Sequence, residues 1–568
     1  MLKVTLGQIN PTIGDIDGNL ELMDRAADLA FREGSNVIVF PELSLTGYYP
    51  ADLLEEESFR ARIRDGIERL QVLSRRIPDV HWVLGAPTER KAPGKPLRNS
   101  LLVLSNGRIR GVYHKQLLPT YDVFDERRHF EPGPDTTLVL RIGDAHVGFM
   151  ICEDGWNDEG TDYALNPFER LAAADPDLVI SINASPSNFG WREQRHGIFT
   201  RACLRHNLNL IFLNQIGGHD QLVYDGASFV IQGSSSASGH RGIIHELPAF
   251  SECLSTIRFD PVRREFCEPL ERRAEDLIPS EFYRRQCILG IRDYARRCGF
   301  KQVVVASSGG IDSAVTLALC AEALGPQNVV GITMPSEYSS RGSVDDSVRL
   351  AQSLGIELLR HPIHSLVDTY RAGFGEATQQ QLAKLPLENL QARIRGTIVM
   401  EYSNQFGHLL LTTGNKSEIS VGYCTLYGDT AGGLGPIGDL YKTEIFALSR
   451  HLNDSAGREV IPQSIIDKPP SAELAPNQLD TDSLPPYEVL DEILKVLIEG
   501  PRLARAERVS AESAVAHLRE TAQGRDTIAR VRKMISRSEY KRRQAAPIIR
   551  MRARAFGIGR QMPIAARY

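Results

Sequence analysis

Residues 301–313, KQVVVASSGGIDS, open on a β-branched run, break at two adjacent glycines and lead into the mostly apolar run 314–320. A short apolar run, a glycine-rich turn and a helical stretch predict strand, loop and helix in that order. Gly309 and Gly310 let backbone N–H groups approach an anion, and Ser308 and Ser313 add hydroxyl donors. The loop empties onto a helix N-terminus, where unpaired N–H groups and the dipole favour phosphate. Asp312 alone would repel phosphate. Its carboxylate fits such a loop if a divalent metal lies between the two.

This is not a Walker loop, which needs G-x-x-x-x-G-K-[ST]. SGGxDS after a buried strand instead resembles the pyrophosphate loop of the ATP-pyrophosphatase superfamily. That resemblance implies ATP split between its α and β phosphates and a substrate that becomes adenylated. A bare SGG is also an ordinary turn of an α/β domain. The Ile-Asp-Ser that follows, the strand before it and the helix after it favour the phosphate loop. Working outward, a helix over 283–298 precedes the loop. A strand over 328–333 ends in MPSEYSS, a helix spans 345–354, and another strand starts at 355. This β-α-β-α order predicts a parallel, doubly wound sheet with ligands at the C-terminal ends of its strands.

At 568 residues the chain has room for more than one domain. A net charge of −5 offers no basic surface for nucleic acid. The eight cysteines form no CxxC and no zinc-spaced cluster, which suits a reducing cytoplasm. MLKVTLGQIN at the start is a strand pattern without a signal-peptide core. No apolar run reaches the roughly 20 residues of a membrane helix.

The first half alternates strands and helices. Strands are expected over 2–9, 37–40, 82–85, 100–104, 109–114, 146–151, 178–182 and 208–213, with an amphipathic helix over 19–32. Asn106-Gly107 is a hairpin turn signal. The expected class is an α/β or α+β sandwich with mixed sheets. Glu42, Lys115 and Cys152 each stand just past the end of a buried strand, where such folds gather polar groups. Their chemistry is complementary. A Cys152 thiolate attacks a carbonyl carbon, Lys115 lowers the thiol pKa or holds an oxyanion, and Glu42 moves the proton to leaving ammonia. Each residue alone has a plainer reading: a small buried hydrophobe, a solvated lysine, a loop carboxylate.

The surrounding words change that balance. FPELSLTGYYP (40–50), YHKQLLPTYDVFDERRHFEPG (113–133), GFMICEDGW (148–156) and NASPSNFGWREQR (183–195) resemble the nitrilase superfamily of amidases. The resemblance implies an α-β-β-α sandwich with Cys152 as nucleophile, Glu42 as base and Lys115 as oxyanion partner. Glu126 matches a second glutamate that supports the triad, and Tyr121 and Ser185 match residues that hold glutamine. Trp191 stands where the glutamine-using branch carries Lys or Arg, with Arg192 beside it as a possible replacement.

In the second half, GITMPSEYSS (331–340), PLENLQARIRG (386–396), LTTGNKSEISVGYCTLYGD (411–429), KTEI (442–445) and KPPSAEL (468–474) resemble NAD synthetases. With the nitrilase-like half in front, the chain resembles the glutamine-dependent form of that family. The resemblance implies that Ser307, Ser308, Gly309, Gly310, Ile311, Asp312, Ser313 and Ala314 cradle ATP phosphates, with Thr413, Lys442 and Ser471 as further ATP contacts. Asp312 and Glu418 would hold Mg²⁺. Asn389, Glu418, Asp429 and Lys541 would lie by deamido-NAD. For Lys541 the plain reading is a solvated charge run. The implied reaction is ATP-dependent amidation of deamido-NAD through an adenylate, with ammonia from glutamine. A homo-oligomer, dimeric through the second half or larger, is also implied.

Residues 433–438, GLGPIG, fit G-x-G-x-x-G, but Pro436 removes a donor and a Rossmann site is rejected. The proline-rich 467–486 reads as a flap or irregular loop, and 487–497, 511–522 and 526–536 as helices. The expected division is 1–262, a connector 263–280 and 281–568, the connector being alternatively an exposed helix of the first domain. Two rival functions stay open: an amidase fused to a different amidating synthetase, and a non-catalytic nucleotide sensor. The second-half words argue against the first, and the intact triad and loop against the second.

Overall fold

The structure is a computed structural model that describes residues 1–235, 239–267 and 275–565. It divides into two compact units, Met1–Gly217 with Val223–Asp276, and Gly218–Leu222 with Leu277–Tyr568.

The first unit carries strands β1 (Leu2–Gln8), β2 (Val37–Val39), β3 (His81–Glu89), β4 (Leu97–Ser105), β5 (Arg108–His114), β6 (Leu138–Ile142), β7 (Ala145–Ile151), β8 (Leu178–Asn183) and β9 (Leu210–Asn214). There follow β10 (Ile216–His219) and β11 (Leu222–Asp225), of which residues 218, 219 and 222 are assigned to the second unit, then β12 (Phe229–Gln232), β13 (Gly242–Glu246), β14 (Cys253–Asp260) and β15 (Glu265–Cys267). One sheet runs β15-β14-β1-β2-β3-β4-β5 and the other β13-β12-β9-β8-β7-β6, while β10 and β11 pair by themselves. The period of two sorts the side chains. Val147, Phe149 and Ile151 of β7, and Leu178, Ile180 and Ile182 of β8, share a core with Val4, Leu6, Val37 and Val39 of the other sheet. The intervening Met150 and Val179 join Phe168, Leu171 and Phe199 of the helices Pro167–Ala173 and Trp191–His206. Helices Ile16–Arg32 and Glu57–Ser74 pack on the other sheet's strands. The result is the expected α-β-β-α sandwich. Asn106 and Gly107 take φ of +48° and +72° between β4 and β5, as an Asn-Gly hairpin turn requires.

Residues 265–267, read from sequence as connector, are the edge strand β15, paired antiparallel with β14. Three residues among charges are too short for a visible period, so the pairing is set by the sheet rather than by the segment. The connector's residues 268–274 lie outside the described residues.

The second unit is built on β16 (Val303–Ala306), β17 (Val329–Thr333), β18 (Glu357–Arg360) and β19 (Leu409–Leu411), ordered β18-β17-β16-β19 with every pair parallel. Helix Ile311–Leu324 packs on β16 and β17, and helix Lys384–Phe406 on β16 and β19. Val304, Ile332 and Leu410 share a core with Ile394, Ile398 and Val399 of the latter helix. Tyr487–Leu494, Arg505–Arg519 and Ala522–Arg537 form a separate helical layer around Leu490, Ile493, Val515 and Val531. Sequence reading ran one helix over 511–522. The helix instead ends at Arg519, and Thr521 caps the next by accepting from the Gly524 N–H at 3.0 Å.

Candidate active sites

In the first unit the C-terminal ends of β2, β7 and β8 and the end of β5 bring Glu42, Cys152, Ala184 and Lys115 together. Gly85 on β3 permits this closeness, because a Cβ there would lie 2.1 Å from the Leu43 nitrogen. Lys115 Nζ donates to Glu42 Oε1 at 2.7 Å and to Glu126 Oε1 at 2.6 Å. Asn99 Nδ2 donates to Glu42 at 2.7 Å and to Glu126 at 3.2 Å, and Tyr48 Oη donates to Glu126 at 2.7 Å. The Ala184 N–H donates to the other Glu42 oxygen at 3.1 Å. All three charged side chains are buried. Cys152 opens the short turn Cys152–Gly155 with φ of +42°, a left-handed conformation that takes its side chain out of the β7 alternation.

Burial raises the Glu42 carboxyl above its ordinary value despite Lys115. Burial pulls the Lys115 ammonium down, but Glu126 and Glu42 outweigh it and hold the group well above its usual range. The Cys152 thiol is also pushed up, first by burial and then by Glu42, against the opposing Lys115 charge. Sequence reading expected Lys115 to lower this pKa. The lysine's pull is present but is outweighed by burial and by the Glu42 charge. The resting thiol therefore keeps its proton.

Tyr121 Oη donates to Glu153 at 3.0 Å, and Tyr163 Oη donates to the same carboxylate at 2.8 Å. Neither Glu153 nor Tyr163 was singled out from sequence, although CED stands inside the quoted stretch. Trp191 Nε1 donates to Ser185 Oγ at 3.0 Å, and the Trp191 ring stacks on Trp156 with centroids 5.1 Å apart. Arg192, the expected replacement for the missing basic contact with glutamine, pairs with carboxylates. Its guanidinium donates to Glu246 at 2.7 and 2.8 Å and to Asp276 at 3.2 Å, since the helix Trp191–His206 turns position 192 away from 191. Asp154 was also missed. Its buried carboxylate accepts from the N–H groups of Gln116 and Leu117 at 3.0 and 2.8 Å and from Tyr113 Oη at 2.9 Å. It ties the Cys152 turn to the backbone beside Lys115, and burial raises its pKa to about 7.

In the second unit a cavity of about 620 Å³ is lined by Ser307, Ser308, Gly310, Ile311, Asp312, Thr413, Lys442 and Ser471, and also by Asn389, Glu418, Asp429 and Lys541. Gly309, Ser313 and Ala314 shape the loop behind this wall. Gly309 has φ of +75°, and a Cβ there would meet the Ser343 carbonyl oxygen at 2.3 Å. Ser313 Oγ donates to the Gly310 carbonyl at 3.0 Å, and the Ala314 N–H donates to the same carbonyl at 3.1 Å. Gly310 caps the helix that starts at Ile311, so unpaired N–H groups face the cavity.

Lys442 Nζ donates to Asp312 Oδ2 at 2.6 Å and to Glu418 Oε1 at 2.9 Å. Asn415 Nδ2 fixes the other Asp312 oxygen at 2.9 Å, and Asn415 Oδ1 caps the helix Lys416–Val421 by accepting from the Glu418 N–H. Burial raises Glu418 to about 7. Burial pulls Lys442 down, and the two carboxylates more than offset it. Asn389 Oδ1 accepts from Thr425 Oγ1 at 2.8 Å, and Asp429 Oδ1 accepts from the Thr425 N–H at 2.7 Å. Lys541 Nζ is not a solvated charge. It donates to the carbonyls of Gly422 and Cys424 at 2.8 and 2.6 Å. The proline-rich stretch is irregular and lends the cavity Lys468 to Leu474, with Ser471 Oγ donating to the Gln478 carbonyl. Residues 433–438 run in short bridges and turns beside β19 and Ile548 and open no dinucleotide-binding helix. Arg395 was missed. It lines the cavity, donates to the Met334 carbonyl at 3.1 Å, and is lowered by burial to about 10.

Two family models match the chain: carbon-nitrogen hydrolase over residues 3–232 and NAD synthase over residues 283–545. The chain is 40% identical to the glutamine-dependent NAD(+) synthetase of Synechocystis, covering 100% of this chain and 99% of that protein. It is 38% identical to that of Thermotoga maritima, again covering 100% of this chain and 99% of that protein. Among solved structures, the glutamine-dependent NAD+ synthetase of Acinetobacter baumannii in complex with ADP matches with a TM-score of 0.76 and 35% identity, covering 99% of this chain and 98% of that one. Identity at this level over the full length of both proteins is a relationship of family, and the chain belongs to the glutamine-dependent NAD(+) synthetases.

Proposed function

We propose that the chain makes NAD by amidating deamido-NAD at the expense of ATP, and that each unit carries one half of the chemistry. In the first unit Cys152 attacks the side-chain carbonyl of glutamine. Glu42 takes the thiol proton and passes it to the departing ammonia, leaving a thioester that water hydrolyses to glutamate. Lys115, held between Glu42 and Glu126, presents its charge where the tetrahedral oxyanion forms. Glu153, with Tyr121 and Tyr163 on it, supplies an acidic end suited to an α-ammonium.

In the second unit the nicotinate carboxylate oxygen attacks the α-phosphorus of ATP, pyrophosphate leaves, and ammonia then displaces AMP from the acyl carbon. Adenylation is needed because a carboxylate is a poor electrophile with a poor leaving group. The observation that carries this reading is the single cavity joining the phosphate loop to Asn389, Asp429 and Lys541. Asp312 and Glu418 are hard oxygen donors that already converge on one cation, the Lys442 ammonium, so the donor set fits Mg²⁺. When bound there, the metal would neutralise charge on the phosphates. That none of the eight cysteines is in a disulfide suits the cytoplasm, and the exposed Leu385, Met400 and Phe406 of helix Lys384–Phe406 support a homo-oligomer. Among the described residues no helix is long and apolar enough to cross a membrane.

The adenylate is tested with deamido-NAD carrying ¹⁸O in its nicotinate carboxylate. The expected result is one ¹⁸O in AMP and none in pyrophosphate. Label absent from AMP would contradict the proposed step.

A further inference from the structure

The two carboxylates assigned to the metal are not free to receive it. Asp312 Oδ2 and Glu418 Oε1 are bridged by the Lys442 ammonium at 2.6 and 2.9 Å, and that ammonium also stands 5.1 Å from the Tyr487 ring centroid. Lys442 is buried, and the backbone around it is pinned. Its own N–H donates to Ser417 Oγ at 2.9 Å, and Thr443 donates to Asp491. Only rotation about the lysine stem could move the ammonium.

We propose that Lys442 is a resident counter-cation that makes the site take a divalent metal and a triphosphate together, and neither well alone. This rests on the reading of Asp312 and Glu418 as metal ligands. A dication beside the ammonium would be repelled, so the metal binds only when the ammonium withdraws. Withdrawal without a new partner strands a buried charge, which is costly. The cavity that Lys442 lines also exposes Ser307, Ser308 and Gly310, where phosphate is expected. A triphosphate there gives the ammonium an acceptor, and the same move frees both carboxylates. A triphosphate without metal meets Asp312 and Glu418 with only one cation between them. Each ligand thus favours the other, and the coupling is reciprocal. Lys442 is a positioning residue in this account. It sets the order of assembly rather than the chemistry.

The test reads Mn²⁺ binding by electron paramagnetic resonance on the full chain without nucleotide, in wild type, Lys442→Met and the double variant Lys442→Met/Asp312→Asn. The expected result is weak binding in wild type and binding at least about tenfold tighter in Lys442→Met, within the usual range of coupling. The double variant should lose that gain, which separates this site from the group of exposed Asp52 and Glu55 with buried His129. Equal Mn²⁺ affinity in wild type and Lys442→Met would overturn the proposal. A gain that survives Asp312→Asn would overturn instead the assignment of the ligands. Should Lys442→Met fail to fold by thermal melt, wild type decides alone. Calorimetry with ATP carrying a methylene bridge between its α and β phosphates should show binding at least about tenfold tighter with saturating Mn²⁺. Identical affinity with and without Mn²⁺ would sink the idea.

Discussion

At the scale of single residues, one thiol and one carboxylate carry the testable content of the first unit. Burial holds the Cys152 proton, so alkylation of the free enzyme by iodoacetamide should accelerate with pH past the ordinary thiol value of 9.0. A rate that levels off below about pH 8 would contradict the held proton. Asp154 clamps the two peptides that follow Lys115 to the nucleophile's turn, yet touches no reacting atom. Asp154→Ala should lower the glutamine-dependent rate by about 10²-fold, the usual cost of a small misplacement, and spare the ammonium-dependent rate. Equal loss of both rates would refute the clamp. Burial raises the same carboxyl to about 7 in the folded state, from an ordinary value of 3.8. The folded state therefore holds this proton more tightly, which favours folding at low pH. That contribution falls as pH rises from about 4 to about 7 and is level above. Asp154→Asn should remove this slope from the pH dependence of the melting temperature.

At the scale of elements, the phosphate loop is the part most exposed to a single methyl group. Gly309→Ala places a Cβ against the Ser343 carbonyl at a positive φ. It should cost about 1–3 kcal/mol of stability and weaken nucleotide binding by calorimetry. Unchanged nucleotide affinity would remove the loop from the site. Strands and loop were legible in sequence because their signals are local: the run 303–306, the two glycines, and apolar residues ending at Glu42, Lys115 and Cys152. Helix starts were less so. Asp15 and Ser340 cap helices that begin at Ile16 and Arg341, three or four residues before the apolar period shows itself. Asp154, Glu153 and Arg395 stood in quoted stretches but carried no signal of their own. Their roles depend on partners far along the chain, Gln116 and Leu117, Tyr121, and Met334. Lys115 lowers the Cys152 thiol as the sequence implies, but the burial and the Glu42 charge that outweigh it arise only in the folded site.

At the scale of the whole molecule, each unit has its own core, and in the proposed reading each carries its own reaction, the first releasing the ammonia that the second consumes. That division is the central claim. The measurement is NAD and AMP formation from ATP, Mg²⁺ and deamido-NAD by wild type and Cys152→Ala, each with glutamine and with ammonium. Wild type should make NAD with both nitrogen sources. Cys152→Ala should make it with ammonium alone, at a rate close to wild type. Loss of both activities in a folded Cys152→Ala, or glutamine-dependent NAD formation that survives it, would contradict the account.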